Sequence, residues 1–155
     1  MSDDRRWPHV RDIHLTVSDL ASVVVDTSDV RSVRAEDASG AFGLLPGHTD
    51  LLTVLRLGVL SWRGAGERWR HCALRGGVLT MRRGCELQVA TREAVVGDDL
   101  HRLEDDVLSQ MAIRQRAEDQ ARREARQLQL RALRELMRPL REAVGGGVVD
   151  LRRLP

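Results

Sequence analysis

ELQVATREAVVGDDLHRLEDDVLSQM, residues 86–111, contains the change of period that decides the fold. At its start Leu87 and Val89 are set between polar Glu86 and Gln88, the two-residue repeat of a strand with one buried face. After Gly97 the apolar residues Leu100, Leu103, Val107 and Met111 step by three and four, the stripe of an amphipathic helix. A β domain therefore gives way to a helical one near residue 97.

Toward the N-terminus, back to about His9, short apolar segments alternate with turn residues. His14 to Val17, Val23 to Val25, Val30 to Ala35, Val59 to Trp62, Trp69 to Leu74, Val78 to Met81 and Cys85 to Ala90 read as strands. Between them stand Asp26-Thr27-Ser28-Asp29, Ser39-Gly40, Pro46-Gly47, Gly64-Ala65-Gly66, Gly76-Gly77 and Arg83-Gly84. This spacing predicts an all-β sandwich or barrel. Gly64 to Gly66 and Gly76-Gly77 are the strongest hairpin signals, because glycine supplies the positive φ of tight turns.

Toward the C-terminus neither Gly nor Pro occurs from Asp98 to Arg138. Leu130, Leu133, Met137, Leu140 and Val144 form a second stripe, but from Arg114 to Gln127 the only apolar residues are Ala117, Ala121 and Ala125. That middle segment is compatible with one uninterrupted helix, since Ala, Arg, Glu and Gln are good helix formers. It is equally compatible with a helical hairpin turning about Glu118 to Arg122, and the hairpin is the expectation adopted. Charge is segregated along the same stretch: residues 98–119 hold seven acids against three Arg, and residues 120–155 nine Arg against four acids. Folded back, the two blocks would attract; extended, the basic block would be offered to an acidic partner. The chain thus divides into a flexible leader (1–11), a β domain (12–97), a helical domain (98–145) and a tail (146–155).

Composition excludes several classes of function. No apolar run approaches the ~18 residues of a membrane span, and the start MSDDRRWPHVR lacks the apolar core of a secretory signal. Two cysteines, Cys72 and Cys85, make no disulfide framework and read as buried thiols in a reducing compartment. All the basic residues are Arg, yet the net charge is only +2, too small an excess to be a nucleic-acid footprint.

Nor is a catalytic constellation visible. His9, His14, His48, His71 and His101 share no metal-ligand spacing. His71 and Cys72 are adjacent on a strand and so point to opposite faces. Asp98-Asp99 and Asp105-Asp106 suit a solvated helix start, and Gly145-Gly146-Gly147 follows a helix, where it stops one and cradles no phosphate. No metal, cofactor or catalytic residue is expected.

One loop stands apart: GAFGLLPGHTDLLT, Gly40 to Thr53, with three Gly and a Pro among large apolar residues. Pro46-Gly47 predicts a type II turn, with Phe42, Leu44, Leu45, Leu51 and Leu52 anchoring its ends. This loop resembles that of the epsilon subunit family of F-type ATP synthases (delta in mitochondria). The family shows G-x-[FL]-G-[IL]-x-P-G-H-x-x-L-L-T, matched by Gly40, Phe42, Gly43, Leu44, Pro46, Gly47, His48, Leu51, Leu52 and Thr53. Gly58-Val59-Leu60, Gly76-Gly77-Val78-Leu79 and Leu87-Gln88-Val89-Ala90 follow in the family's order. The likeness covers about residues 12–97 by motif and 98–145 by architecture.

The resemblance implies an α+β chain: a sandwich of about ten strands, then a helical hairpin or an extended helix. It implies a non-catalytic rotor subunit of the central stalk of a proton- or sodium-translocating ATP synthase, peripheral on the cytoplasmic face of the bacterial inner membrane. Its partners would be gamma and the c ring, met through Phe42, Gly43, Pro46, Gly47 and His48. Alpha and beta subunits would be reached by the C-terminal helices, with Arg122, Arg123 and Arg126 as regulatory contacts restraining ATP hydrolysis. Neither nucleic acid nor a small-molecule substrate is implied. Three departures mark a divergent branch, such as the alternate ATPases that some bacteria carry. Ser39 and Ala41 replace acids beside the first loop glycine. Leu103-Glu104-Asp105-Asp106-Val107-Leu108 lacks the Arg and Ala of the family's nucleotide-binding helix motif. Thr91 stands where the family carries an acid, with Glu93 nearby. Apart from the resemblance, the alternative is a free-standing adaptor or nucleic-acid-associated module with a coiled-coil tail.

Overall fold

Seven strands and a helical segment make up the structure, a computed structural model that describes residues 11–145, with side chains as far as Pro139. The strands are β1 (Ile13–Ser18), β2 (Val23–Asp37), β3 (Gly40–Leu44), β4 (Leu51–Gly64), β5 (Arg70–Arg82), β6 (Glu86–Ala90) and β7 (Ala94–Gly97). They pair in the order β1-β6-β5-β4-β2-β3, and β1 also pairs with β2, which closes the sheet on itself; β7 pairs with β5. Only β1 and β6 run parallel. The leader through Val10 and the tail from Gly146 lie outside the described residues.

Seven strands replace the expected ten or so because β2, β4 and β5 are 15, 14 and 13 residues long and absorb positions that read as turns. Asp26 to Asp29 lies inside β2, where Asp29 takes φ 64° and the β1–β2 register slips. Gly76-Gly77 lies inside β5 and is no hairpin turn. Gly77 takes φ 146°, and a Cβ there would stand 2.3 Å from the Ala90 carbonyl oxygen. The glycine lets two backbones touch at a bend. The other turns follow the sequence: Gly66 (φ 67°) sits in the β4–β5 connection, and Arg83 and Gly84 (φ 53° and 68°) join β5 to β6 in a type I′ turn closed by Cys85 N–H to Arg82 O, 3.1 Å.

The sandwich interior is aliphatic. Ile13, Leu15 and Val17 from β1, Val33 from β2, Leu60 and Trp62 from β4, Leu74, Leu79 and Met81 from β5, and Leu87 and Val89 from β6 are buried together. A second, smaller core lies on the outer face of β4 and β5, where Ala73, Leu103 and Met111 are buried with Leu57, Val59, Val95, Val107 and Leu108 around them. This explains why His71, Cys72, Ala73 and Leu74 are buried in succession. Cys72 and Leu74 face the sandwich, and Ala73 meets the helical segment.

The helical segment opens with the turn α1 (Leu100–Arg102), whose N-cap Asp99 accepts from His101 N (3.0 Å) and Arg102 N (3.4 Å). A π-helical turn (Leu103–Val107) follows, then α2 (Leu108–Gly145). The wide turn offsets the drift of a four-residue step. Leu103 and Met111 are therefore both buried, with Val107 half-buried.

α2 is continuous through Glu118–Arg122, so the hairpin expectation is corrected to a single long helix. The physical reason is the Ala-only middle. A bend there would give up helical hydrogen bonds among good helix formers, and Ala117, Ala121 and Ala125 offer little apolar area in return. Two compact units result, one ending at Arg114 and one beginning at Gln115.

Candidate functional site: the glycine–proline loop, an outer apolar patch and the arginine face of α2

The loop is built around Asp37 and Gly47. Asp37 Oδ1 accepts from Ser39 N (2.8 Å) and Ser39 Oγ (2.6 Å), and its Oδ2 accepts from Thr53 Oγ1 (2.7 Å), so one carboxylate ties the β2–β3 turn to the start of β4. These bonds, that from Ser39 Oγ foremost, hold the Asp37 carboxyl below its ordinary range. Leu45 to His48 form the expected type II turn, with Gly47 at φ 84° and His48 N–H donating to Leu45 O at 3.2 Å. Gly47 N–H also donates to Gly84 O at 2.8 Å, and a Cβ on Gly84 would stand 2.8 Å from Gly47 Cα. The tip is thus clamped, backbone to backbone, against the β5–β6 turn.

Among the residues predicted for an interface, Gly43, Gly47 and His48 are exposed and Pro46 is half-buried. His48 Nδ1 lies 2.8 Å from Thr49 O. Phe42 is different, because its ring packs against the sandwich core. Leu44 is buried and Leu51 packs against the core, but Leu45 and Leu52 are 61% and 67% exposed, which corrects the expectation that both would anchor the loop. Arg122, Arg123 and Arg126 line one surface of α2 with Asp119, whose carbonyl accepts from Arg123 Nε at 3.2 Å.

Exposed Leu52 belongs to a patch that reading the loop missed. Val54 (64% exposed) lies two residues on, its cross-strand partner Val78 is 41% exposed, and Val78 pairs in turn with exposed Ala90 of β6. The signal was present: in Leu51-Leu52-Thr53-Val54-Leu55 apolar residues fall on both parities, so both faces of the strand are apolar there.

The departures have structural explanations. Thr91 is buried and its Oγ1 donates to Gly76 O at 2.5 Å, serving the bend in β5. The Glu93 carboxylate pairs with Arg75 (3.4 Å) and with Arg114 of α2. His71 and Cys72 separate as expected, with Ser61 Oγ 2.8 Å from His71 Nδ1 and Cys72 in the core, where burial pushes its thiol up to about 11. Among the described residues no group of three or more His, Cys, Asp or Glu could hold a metal, and no helix is long and apolar enough to cross a membrane.

The architecture is thus a closed β-sandwich that presents a clamped glycine–proline loop and continues into an amphipathic helix. Comparison with known proteins gives this architecture its family. Residues 12–97 match the family model of the ATP synthase delta/epsilon chain β-sandwich domain. The chain is 46% identical over 139 residues to ATP synthase epsilon chain 2 of Cereibacter sphaeroides, covering 88% of this chain and 95% of that one. It is 41% identical over 133 residues to ATP synthase epsilon chain 2 of Paraburkholderia xenovorans, covering 86% and 96%. A chain of the Euglena gracilis mitochondrial ATP synthase (OSCP/F1/c-ring) shares the fold, with a TM-score of 0.54 at 24% identity over 86% of this chain and 81% of that one. The protein belongs to the ATP synthase delta/epsilon chain family and is a non-catalytic, epsilon-type subunit.

Proposed function

We propose that the chain is the central-stalk epsilon subunit of an alternate F-type ATP synthase, turning with the rotor and coupling proton or sodium translocation to the catalytic head. The alternate assignment is supported by the two relatives of 46% and 41% identity, each named epsilon chain 2. The observation that carries the docking is the outer apolar patch of Leu52, Val54 and Val78. Three large aliphatic side chains, each more than a third exposed on one rigid face, suit a subunit interface and not open water. Gamma is assigned to this patch. The c ring is assigned to the loop, with Gly43, Pro46, Gly47 and His48 as its contact and Phe42 as its half-buried anchor. The subunit would be peripheral, on the cytoplasmic face of the membrane.

Regulation is assigned to Arg122, Arg123 and Arg126, which would meet acidic residues of alpha or beta when α2 lies along them and so restrain ATP hydrolysis.

The test is reconstitution of the complex with Leu52→Asp/Val54→Asp. Two buried, unpaired carboxylates should abolish copurification with gamma while the free subunit stays folded. Normal assembly of this variant would remove the patch from the interface. Reversing Arg122, Arg123 and Arg126 to Glu should raise ATP hydrolysis by the assembled complex, and unchanged hydrolysis would refute the regulatory assignment.

A further inference from the structure

A second charged surface lies on the sandwich beside the start of the loop, where Arg34 of β2 pairs with Gly43 of β3. On β2 Arg34 stands opposite Ser61 of β4, and Ser32 stands opposite Arg63. Trp69 directly precedes β5, whose first residue, Arg70, faces Trp62. The guanidinium carbons of Arg34 and Arg63 lie 4.5 and 4.8 Å from the centroid of the Trp69 ring. Both arginines are exposed and the indole is half-buried.

Neither arginine has a carboxylate partner among the described residues. The nearest acid along the β4–β5 connection, Glu67, is turned back onto Gly64, where an added Cβ would stand 2.7 Å from its Oε2. Two guanidiniums are therefore gathered on one ring against their mutual repulsion, held by cation–π attraction with no carboxylate in ion-pair contact among the described residues.

We propose that the Arg34–Trp69–Arg63 cluster is a docking surface for an acidic segment of a partner polypeptide. The ring orients the two forks and restricts their rotamers, so less side-chain entropy is lost when carboxylates bind. Arg34 and Arg63 are diagonal across the β2–β4 pair, rooted about 7 Å apart, which matches alternate carboxylates along one face of an extended segment. A nucleobase is disfavoured, because the guanidiniums occupy the stacking surface that it would need. A lone phosphate, which a pair of guanidiniums can also hold, is told apart from a carboxylate segment by the competition arm of the test. The inference goes beyond the rotor reading and does not depend on which subunit supplies the acids.

The experiment is fluorescence anisotropy of a labelled oligoglutamate peptide titrated with the full-length chain at low salt. Saturable binding is expected, weakened about tenfold or more in Arg34→Gln/Arg63→Gln and unchanged in Arg122→Gln/Arg123→Gln/Arg126→Gln. Near-UV circular dichroism of each variant verifies the fold. A Trp69→Leu variant, which keeps both charges, should weaken binding severalfold, because the forks lose their support. Equal binding by wild type and the Arg34/Arg63 variant would overturn the proposal. So would competition by inorganic phosphate or ATP at concentrations equal to the peptide's carboxylate, which would indicate a phosphate site. Self-association of the free chain abolished by the same two substitutions would overturn it as well, since the occupant would then be a second copy.

Discussion

Met111 is the residue through which the start of α2 is committed to the β unit, and its removal gives a sharp test of that docking. It is fully buried, against Ala73 of β5 and Leu103, whereas Ile113, two residues on, is 66% exposed. Met111→Ala should cost about 3 kcal/mol, the transfer of the lost atoms plus the unfilled cavity. Ile113→Ala should change stability by no more than about 0.5 kcal/mol. For a unit of this size the first corresponds to a fall of roughly 10 °C in Tm. The small core rests on few residues, so the loss can also appear as local release of the helix start. Hydrogen exchange distinguishes the two routes. A local opening weakened by about 3 kcal/mol loses roughly a hundredfold in protection over residues 103–114 while the amides of β5 and β6 stay protected. The measurement is a thermal melt together with exchange mass spectrometry on wild type and both variants. Equal behaviour of Met111→Ala and Ile113→Ala in both assays would refute the reasoning, because it would mean that the helix start is not docked.

Gly77→Ala, which places a Cβ 2.3 Å from the Ala90 carbonyl at φ 146°, should cost at least about 3 kcal/mol in urea unfolding, whereas Gly66→Ala, at φ 67° with no atom within 4 Å, should cost about 1 kcal/mol. Asp37→Asn should destabilise the loop near neutral pH; because the folded Asp37 carboxyl lies below its unfolded value of 3.8, the gap to wild type should close as pH falls from about 4 through the lower folded value, as followed by melts across that range. Cys72 is buried as expected but Cys85 is only half-buried, so iodoacetamide near pH 8 should label Cys85 and spare Cys72 in the folded chain, read by peptide mass spectrometry. The Cys72 thiol, raised from 9.0 to about 11, should also make stability fall as pH rises between those values, a slope absent in Cys72→Ala.

The order of elements was legible because alternation and helical stepping are local signals. Leu87 and Val89, Leu103 and Met111 are buried as their spacing requires. The Pro46-Gly47 turn and the Gly66 connection were legible for the same reason. What misled was glycine with two uses. Gly64-Ala65-Gly66 and Gly76-Gly77 look alike in sequence, yet the first closes a hairpin and the second admits the Ala90 carbonyl to the back of a bent strand. Only a contact between β5 and the end of β6 separates the two cases, and no local pattern encodes it. The apolar patch was hidden likewise, since Leu51 and Leu52 are equally apolar and only the sheet decides which one faces the core.

The same limit explains the helix. Ala117, Ala121 and Ala125 permit either a bend or a straight run, and the choice rests on what else is present to bury the lower stripe of Leu130, Leu133 and Met137. In the free chain these three are half or more exposed, so α2 carries an apolar face that its own unit does not cover. An uncovered face of this kind is costly in water and is expected of a segment whose second packing partner is another chain. In sequence, the basic block around Arg122, Arg123 and Arg126 precedes that face. A partner engaging this length of α2 would meet both charge and apolar surface. Charge would set the direction of approach and burial would supply the affinity, the division of labour found at steered interfaces. On the proposed docking, the segregated charge along the helix would be explained by the partner that α2 meets as well as by how it folds.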